Sequence, residues 1–400
     1  MPVAAADILA RAASELLRRD RTDLACACAG LALEEAPGDG RASELLAAAL
    51  ERQGRWEEAL AHWRAAARDP PGRPQAAVNL ALALLLHGRP GEAWPLFHGR
   101  IDLPGWISAA TRASLSARRD ARLRPGEPLE GRRVLVLTEQ GLGDNLFAAR
   151  WLAALSARRA RIVLASTPAL APLLGRLPVL EGCLAPPDGR ATTGLNMTGL
   201  EFDRWVPMLD LPGILGVEVP DAPEAPYLAP DPIRTAAWRE RFAARGRPGR
   251  RRVGLVWSAN PASLSAGRRS LDPEALASLA GIHGVDWISF QHDAPPGTLA
   301  GILPGVVDEV RGQPLDEYAA ALSATDLLLT VDTMAAHLAG ALGHPAWAMV
   351  TTGAGWYWGL EGGRCPWYGT LRLFRRPPSA PGWTEVTRDV ARQLSSWAWP

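Results

Sequence analysis

Arg133-Val134-Leu135-Val136-Leu137-Thr138, running straight into Glu139-Gln140-Gly141-Leu142-Gly143-Asp144-Asn145-Leu146, is the stretch that decides the fold. An unbroken apolar run without polar alternation suits a strand covered on both faces. The glycines that follow turn the chain into a helix, expected over about 146–158. A second run, Arg161-Ile162-Val163-Leu164-Ala165, comes next, with a short helix after Pro168. Strand, helix, strand in that order builds a parallel sheet with right-handed crossovers, so residues 131–230 read as one α/β lobe.

Downstream the same grammar returns. Strand candidates Val253-Gly254-Leu255-Val256-Trp257, Trp287-Ile288-Ser289-Phe290, Leu327-Leu328-Leu329-Thr330-Val331 and Ala346-Trp347-Ala348-Met349-Val350 alternate with helical segments near 273–279, 316–323 and 334–342. Residues 250–380 therefore read as a second lobe, joined to the first through the proline- and acid-rich stretch 220–232. Two such Rossmann-like lobes leave a cleft lined by the C-terminal ends of both sheets, where ligands of open α/β sheets bind. The last segment, 381–400, is expected to be a helix that can return to the N-terminal lobe.

Upstream the chain repeats. Gln53-Gly54-Arg55 and His87-Gly88-Arg89 stand 34 residues apart, Ala25, Ala59 and Ala93 keep that offset, and so do Pro37 and Pro71. A weaker turn around Asp20-Arg21 opens the series. This is the period of tetratricopeptide repeats, the alternative being an alanine-rich helical bundle. Residues 1–107 thus read as an all-α repeat module, and 108–130, arginine-rich and ending Arg124-Pro125-Gly126-Glu127-Pro128, as a linker.

Composition narrows the function. Four hundred residues exceed what one core serves, and 43 basic against 42 acidic residues give no electrostatic reason to expect nucleic acid or an acidic membrane. Every basic residue is arginine, which excludes Schiff-base, pyridoxal phosphate and P-loop chemistry. Cys26, Cys28, Cys183 and Cys365 lack zinc spacing and read as small buried hydrophobes in a reducing compartment. No apolar run is long enough to span a bilayer and no secretory leader opens the chain, so the expectation is a cytoplasmic protein without a metal site.

The turn after the first strand superficially matches a dinucleotide fingerprint, but Leu146 takes the third glycine's place and the next strand ends in Ser166, which disfavours a nicotinamide dehydrogenase. Gly141 and Gly143 let the backbone approach a ligand at a helix N-terminus, with Asp144 in the same mouth; Asp144 reads equally well as a helix cap. In Val331-Asp332-Thr333-Met334-Ala335-Ala336-His337 a strand runs into a helix whose free amides and positive dipole end suit a diphosphate. Thr333 and His337, four apart, share a face, although a helical histidine is often structural and Asp332 can be a cap. Loops carrying Asn260, Arg269 with Ser270, and Gln291 point at that mouth: the arginine suits a diphosphate and the glutamine a base or sugar.

In these stretches, together with Pro366-Trp367-Tyr368 and Leu371-Arg372-Leu373-Phe374-Arg375, the chain resembles the family 9 glycosyltransferases, the heptosyltransferase-like group, in the form that carries tetratricopeptide repeats. The resemblance covers nearly the whole chain. It implies the two-lobed GT-B fold, inversion at the anomeric centre, and no metal or cofactor, the nucleotide-sugar being a substrate. It makes Asp144 the general base and assigns Asp332, Thr333 and His337 to the donor. The chain departs from the family pattern at Ala262-Ser263-Leu264-Ser265 and at Thr351-Thr352-Gly353-Ala354-Gly355-Trp356-Tyr357-Trp358-Gly359-Leu360, which leaves sugar and base preference open. The expected function is sugar transfer to an acceptor, a protein recruited by the repeats. The competing readings are a non-catalytic repeat adaptor with a degenerate nucleotide-binding lobe pair, and a heptosyltransferase acting on a lipid core.

Overall fold

A computed structural model describes residues 2–68, 74–104, 106, 109–116, 118–185, 200–219, 226–263, 265–380 and 382–397. Three helical hairpins come first: α1 (Pro2–Arg18) with α2 (Thr22–Glu35), α3 (Gly40–Arg52) with α4 (Trp56–Arg68), and α5 (Pro74–Leu86) with α6 (Pro90–Phe97). Their inner turns recur every 34 residues, with Asp20, Gly54 and Gly88 at φ 56°, 75° and 66°. At each turn the amide of Arg21, Arg55 or Arg89 reaches back to the carbonyl of Leu16, Leu50 or Leu84 at 2.9, 2.9 and 2.8 Å, the left-handed cap that ends a helix. Ala25, Ala59 and Ala93, buried at the same offset, let the helices cross closely. Pro71 lies outside the described residues.

After α7 (Ala109–Ser116), the first lobe contains β1 (Arg133–Leu137), α8 (Leu142–Ala148), α9 (Trp151–Ala157), β2 (Arg161–Ala165), α10 (Ala171–Leu174), β3 (Leu180–Leu184), β4 (Arg204–Pro207) and α11 (Leu211–Leu215). Its four strands are parallel in the order β3-β2-β1-β4. The helix expected over 146–158 starts earlier and is interrupted. At the interruption Arg150 turns inward, and its guanidinium donates to the carbonyls of Phe147 and Trp367 at 3.0 and 3.1 Å. The linker reading of 108–130 also needs correction. Leu115, Leu123 and Leu129, spaced among the arginines, are buried against the lobe, and Arg122 bridges to Trp205 of β4.

The second lobe follows as α12 (Pro232–Arg245), β5 (Arg251–Val256), α13 (Ala266–Arg269), α14 (Pro273–Ala277), β6 (Val285–Ser289), β7 (Val306–Glu309), α15 (Leu315–Leu322), β8 (Leu327–Val331), α16 (Met334–Leu342), β9 (Ala346–Thr351), β10 (Leu371–Arg376) and α17 (Thr384–Ser395). Six parallel strands run β7-β6-β5-β8-β9-β10, which is the Rossmann order, and the winding reverses between β5 and β8. Helix α12, which the sequence left unassigned, packs on α15 and β7. Helix α17 does not return to the first lobe: Val386, Val390 and Leu394, one apolar stripe at four-residue spacing, join the core formed by Val253, Leu255 and Trp287. Of the expected inter-lobe connection, 220–225 lie outside the described residues; just beyond them the amides of Tyr227 and Leu228 donate to the Ala341 carbonyl, each at 3.1 Å.

The first hairpin packs on α3 and α4 in smaller clusters, while one apolar core runs through the second and third hairpins and both lobes. At its centre the Phe147 ring of α8 meets Trp356, Tyr357 and Trp367 of the second lobe edge-on at 5.2, 4.6 and 5.2 Å, and Trp356 meets Trp94 of α6 at 5.9 Å. Edge-to-face pairs of this kind add to the area they bury.

Candidate functional site

The winding of the second sheet reverses where β5 and β8 end, which is where an open parallel sheet presents a crevice. A cavity of about 930 Å³ opens there, closed on its far side by the glycine turn of the first lobe. Helices α8 and α16 meet with their N-terminal ends together. A methyl group placed on Gly143 would lie 2.8 Å from Cδ2 of His337 and 3.4 Å from Cα of Met334. Gly143 is therefore there for close approach of two helices as much as for a ligand.

The glycine turn is held from behind by charge. Arg100, in a 3-10 turn after α6, is fully buried and donates to Glu139 and Asp210, while Arg122 donates to Asp210 at 2.8 Å. Burial works against its charge, but Asp210 and Glu139 together hold Arg100 above its ordinary pKa. The Glu139 amide in turn donates to Asn145 Oδ1 at 2.9 Å, which closes the turn. Asp144 then stands in the first turn of α8, with Oδ2 accepting the Gly141 amide at 3.0 Å and Oδ1 accepting the hydroxyl of Tyr357. Burial pushes its carboxyl above the usual range, opposed by Tyr357 and then by the Gly141 amide.

From the opposite wall, Thr333 caps α16 in extended conformation at φ −144°, and no side chain caps the first turn. Its hydroxyl lies 3.2 Å from that of Thr330. Arg269 donates to the Asp332 carbonyl at 3.0 Å and to Ser263 Oγ at 2.9 Å, and its Nε is buried without a partner. Burial raises the Asp332 carboxyl, with Arg269 opposing and the charge of Asp144 adding to the rise. The Asp332 carboxyl thus lies within electrostatic reach of Asp144 across the gap.

Gly141, Gly143, Asp144, Asn260, Arg269 and Asp332 all border this one cavity, as do Thr333, His337 and Gln291. Four of the expected ligand contacts are otherwise engaged in whole or in part. Gln291 accepts the amides of Trp257 and Ser258 at 3.1 and 2.9 Å and donates to the Ser258 carbonyl and Asp293 at 3.0 and 2.8 Å, so its amide clamps the loop after β5 instead of being free for a base or sugar. Ser270 is not on the cavity wall; it donates to the Ala266 carbonyl at 2.8 Å and accepts the Ala259 amide at 3.0 Å. His337 stacks on Trp358 at 4.7 Å with Nδ1 3.1 Å from the Tyr368 hydroxyl, and burial, helped by Arg150, pushes its pKa down to about 3. It is a neutral imidazole. Asn260 spends its Oδ1 on the Ala262 amide at 2.9 Å.

Sequence reasoning gave no role to Tyr357; Tyr368 entered only within the stretch Pro366-Trp367-Tyr368, and Arg268 only as the neighbour of Arg269 in a loop where an arginine suits a diphosphate. The aromatic run 356–358 follows the end of β9 at the same edge of the sheet as the other loops, and that position was the available signal. Among the described residues no group of three or more His, Cys, Asp or Glu could hold a metal ion, the four cysteines are unpaired, and no helix is long and apolar enough to cross a membrane.

Fold and cleft together define a two-lobed α/β protein whose sheets share a ligand-sized cavity, preceded by helical hairpins. The chain is 29% identical over 343 residues to Protein FlbA of Caulobacter vibrioides, a match covering 80% of this chain and 56% of FlbA, so it spans about half the length of the curated relative it matches. No protein-family model matches. Among solved structures, the glycosyl transferase family 9 protein from Veillonella parvula covers 68% of this chain and 91% of its own at 14% identity, with a TM-score of 0.49. The ADP-heptose lps heptosyltransferase II of E. coli covers 66% and 98% at 15% identity, with a TM-score of 0.45. Likeness at this level carries no functional argument, which the cleft has to supply.

Proposed function

We propose that the chain is a GT-B glycosyltransferase that moves a sugar from a nucleotide-sugar to an acceptor hydroxyl, with inversion and without a metal ion. One observation carries the reading: a half-buried carboxylate of the first lobe, Asp144, and an uncapped helix N-terminus flanked by Arg269 on the second border one cavity. The acceptor oxygen attacks the anomeric carbon while its proton passes to Asp144. The bond from that carbon to the diphosphate breaks on the opposite face, and its electron pair leaves with the diphosphate. Burial makes Asp144 a stronger base than a solvated carboxylate. The charge developing on the leaving group meets the first-turn amides of α16 and the Arg269 guanidinium, preorganised donors that act without reorganising. Asn260, Asp332 and the neutral His337 shape the donor's wall, while Gln291 and Ser270 hold the β5 loop.

We take the hairpins as tetratricopeptide repeats, the acceptor as a protein they recruit, and the cytoplasm as the setting. The 34-residue recurrence of cap and buried alanine supports the repeat reading.

A thermal-shift panel of nucleoside diphosphates and their sugar conjugates is expected to raise the melting temperature for at least one base. With that donor and candidate acceptors, Asp144→Asn is expected to lower kcat by about a hundred- to ten-thousandfold while donor affinity holds. Wild-type turnover in the Asn variant would remove the base from the mechanism, and binding without any turnover would favour the adaptor.

A further inference from the structure

The first hairpin touches Arg268, a residue of the cavity wall, through Asp20. At the turn position where the second and third hairpins carry Gly54 and Gly88, the first carries Asp20, at φ 56°. Left-handed backbone costs a residue with a Cβ more than it costs glycine, and aspartate tolerates it better than most. The carboxylate there has other work. Asp20 Oδ2 lies 2.6 Å from Nη2 of Arg376 at the end of β10, and Oδ1 lies 2.9 Å from Nε of Arg268 in α13. Arg52 of the same module stands 3.9 Å from Oδ1.

All three guanidiniums are largely covered: the side chains of Arg268 and Arg376 are 12% exposed and that of Arg52 22%. Burial, with Arg52 and Arg376 adding to it, pushes Arg268 down to about 10, so it remains a cation with cations for neighbours. The nearby Glu51 gives limited relief, because burial raises its carboxyl. Asp20, whose own side chain is 32% exposed, is therefore the counter-ion around which the cluster is arranged.

Arg268 also borders the cavity, donates to the Thr352 carbonyl at 2.9 Å, and precedes Arg269 in the four-residue helix α13. We propose that Asp20 is a positioning residue for the cavity: through it the helical module holds α13 in place and so presents Arg269 to an anionic ligand. This rests on the reading of the cavity as a nucleotide-sugar site. The module then serves the donor side from a distance, besides any part in acceptor recruitment.

Asp20→Gly separates the two roles, since glycine suits the turn and removes only the charge. The melting temperature is expected to stay close to wild type. Affinity for the best of ADP, UDP and GDP, measured by calorimetry, is expected to fall on the order of five- to tenfold, within the usual range of coupling between sites. Amide exchange by mass spectrometry should quicken over 265–270 and stay unchanged in α16. Asp20→Asn, which keeps the turn's preference without the charge, should behave alike. Unchanged affinity, or exchange that does not quicken over 265–270, overturns the proposal, as does an affinity loss that merely tracks a large fall in melting temperature. Should wild type bind none of the three nucleotides, the nucleotide reading fails, and the exchange comparison still decides whether Asp20 orders α13.

Discussion

Asp144 accepts hydrogen bonds from opposite lobes, the Gly141 amide from its own and the Tyr357 hydroxyl from the other. Each oxygen keeps a lone pair for an acceptor proton, since a carboxylate offers about four acceptor sites. Tyr357→Phe removes the donor that most opposes the effect of burial, so the Asp144 pKa rises further. Because the base acts deprotonated, the acid limb of kcat/KM is expected to move to higher pH, with the alkaline plateau less affected; an unmoved limb would show that the phenol does not tune the base. At this scale the sequence was legible where a position follows from a strand end and the turn after it: Asp144, Asp332 and Thr333 reach one cavity, joined by Arg269 from α13. It was illegible where a side chain chooses between ligand and backbone. Gln291 and Ser270 made that choice in favour of the backbone at distances near 3 Å, which spacing does not encode. Tyr357 and Asp144 are 213 residues apart, and only the folded seam pairs them.

The 34-residue recurrence was readable because each hairpin repeats a local cap, and α16 because a strand end and a left-handed Gly343 bracket it. The short strands β3, β4 and β7 were not, since five or four residues without alternation carry little periodicity. The interruption between α8 and α9 is slight, Ala149 and Arg150 keeping helical dihedrals, and it coincides with a tertiary contact of Arg150 that no helical pattern announces. Two substitutions test how these elements support the site. Gly143→Ala drives a methyl into the His337 edge and the α16 backbone, so α8 and α16 must part; nucleotide affinity and melting temperature should both fall, with a loss of about 1–3 kcal/mol in urea unfolding. Arg100→Met leaves Glu139 and Asp210 buried without their shared cation. A loss of about 3–5 kcal/mol is expected, and a urea midpoint equal to wild type would mean that the ion cluster does not brace the turn.

On the scale of the whole molecule, the apolar core that unites the second and third hairpins with both lobes makes hinge opening costly, because separating the lobes would bare Phe147 and the indoles around it. We expect far-UV dichroism, dominated by the helices, and tryptophan fluorescence, weighted to the seam, to report one coincident unfolding transition. Two separated transitions would mean that the module folds apart from the lobes. The two-lobed plan could be read from the order of strands and helices, whereas the fusion of the parts could not, because contacts such as Trp94 on Trp356 join segments that each read as self-contained.

Both end hairpins are fastened to the second lobe, the first by Asp20 on Arg268 and Arg376, the last by Trp94 on Trp356. An array with a free end can lengthen or shorten by duplication of a unit, since each unit meets only its neighbours. Here an extra copy between the anchors would carry one of them off its mooring, so the copy number is set by the span between two fixed points on the neighbouring lobe.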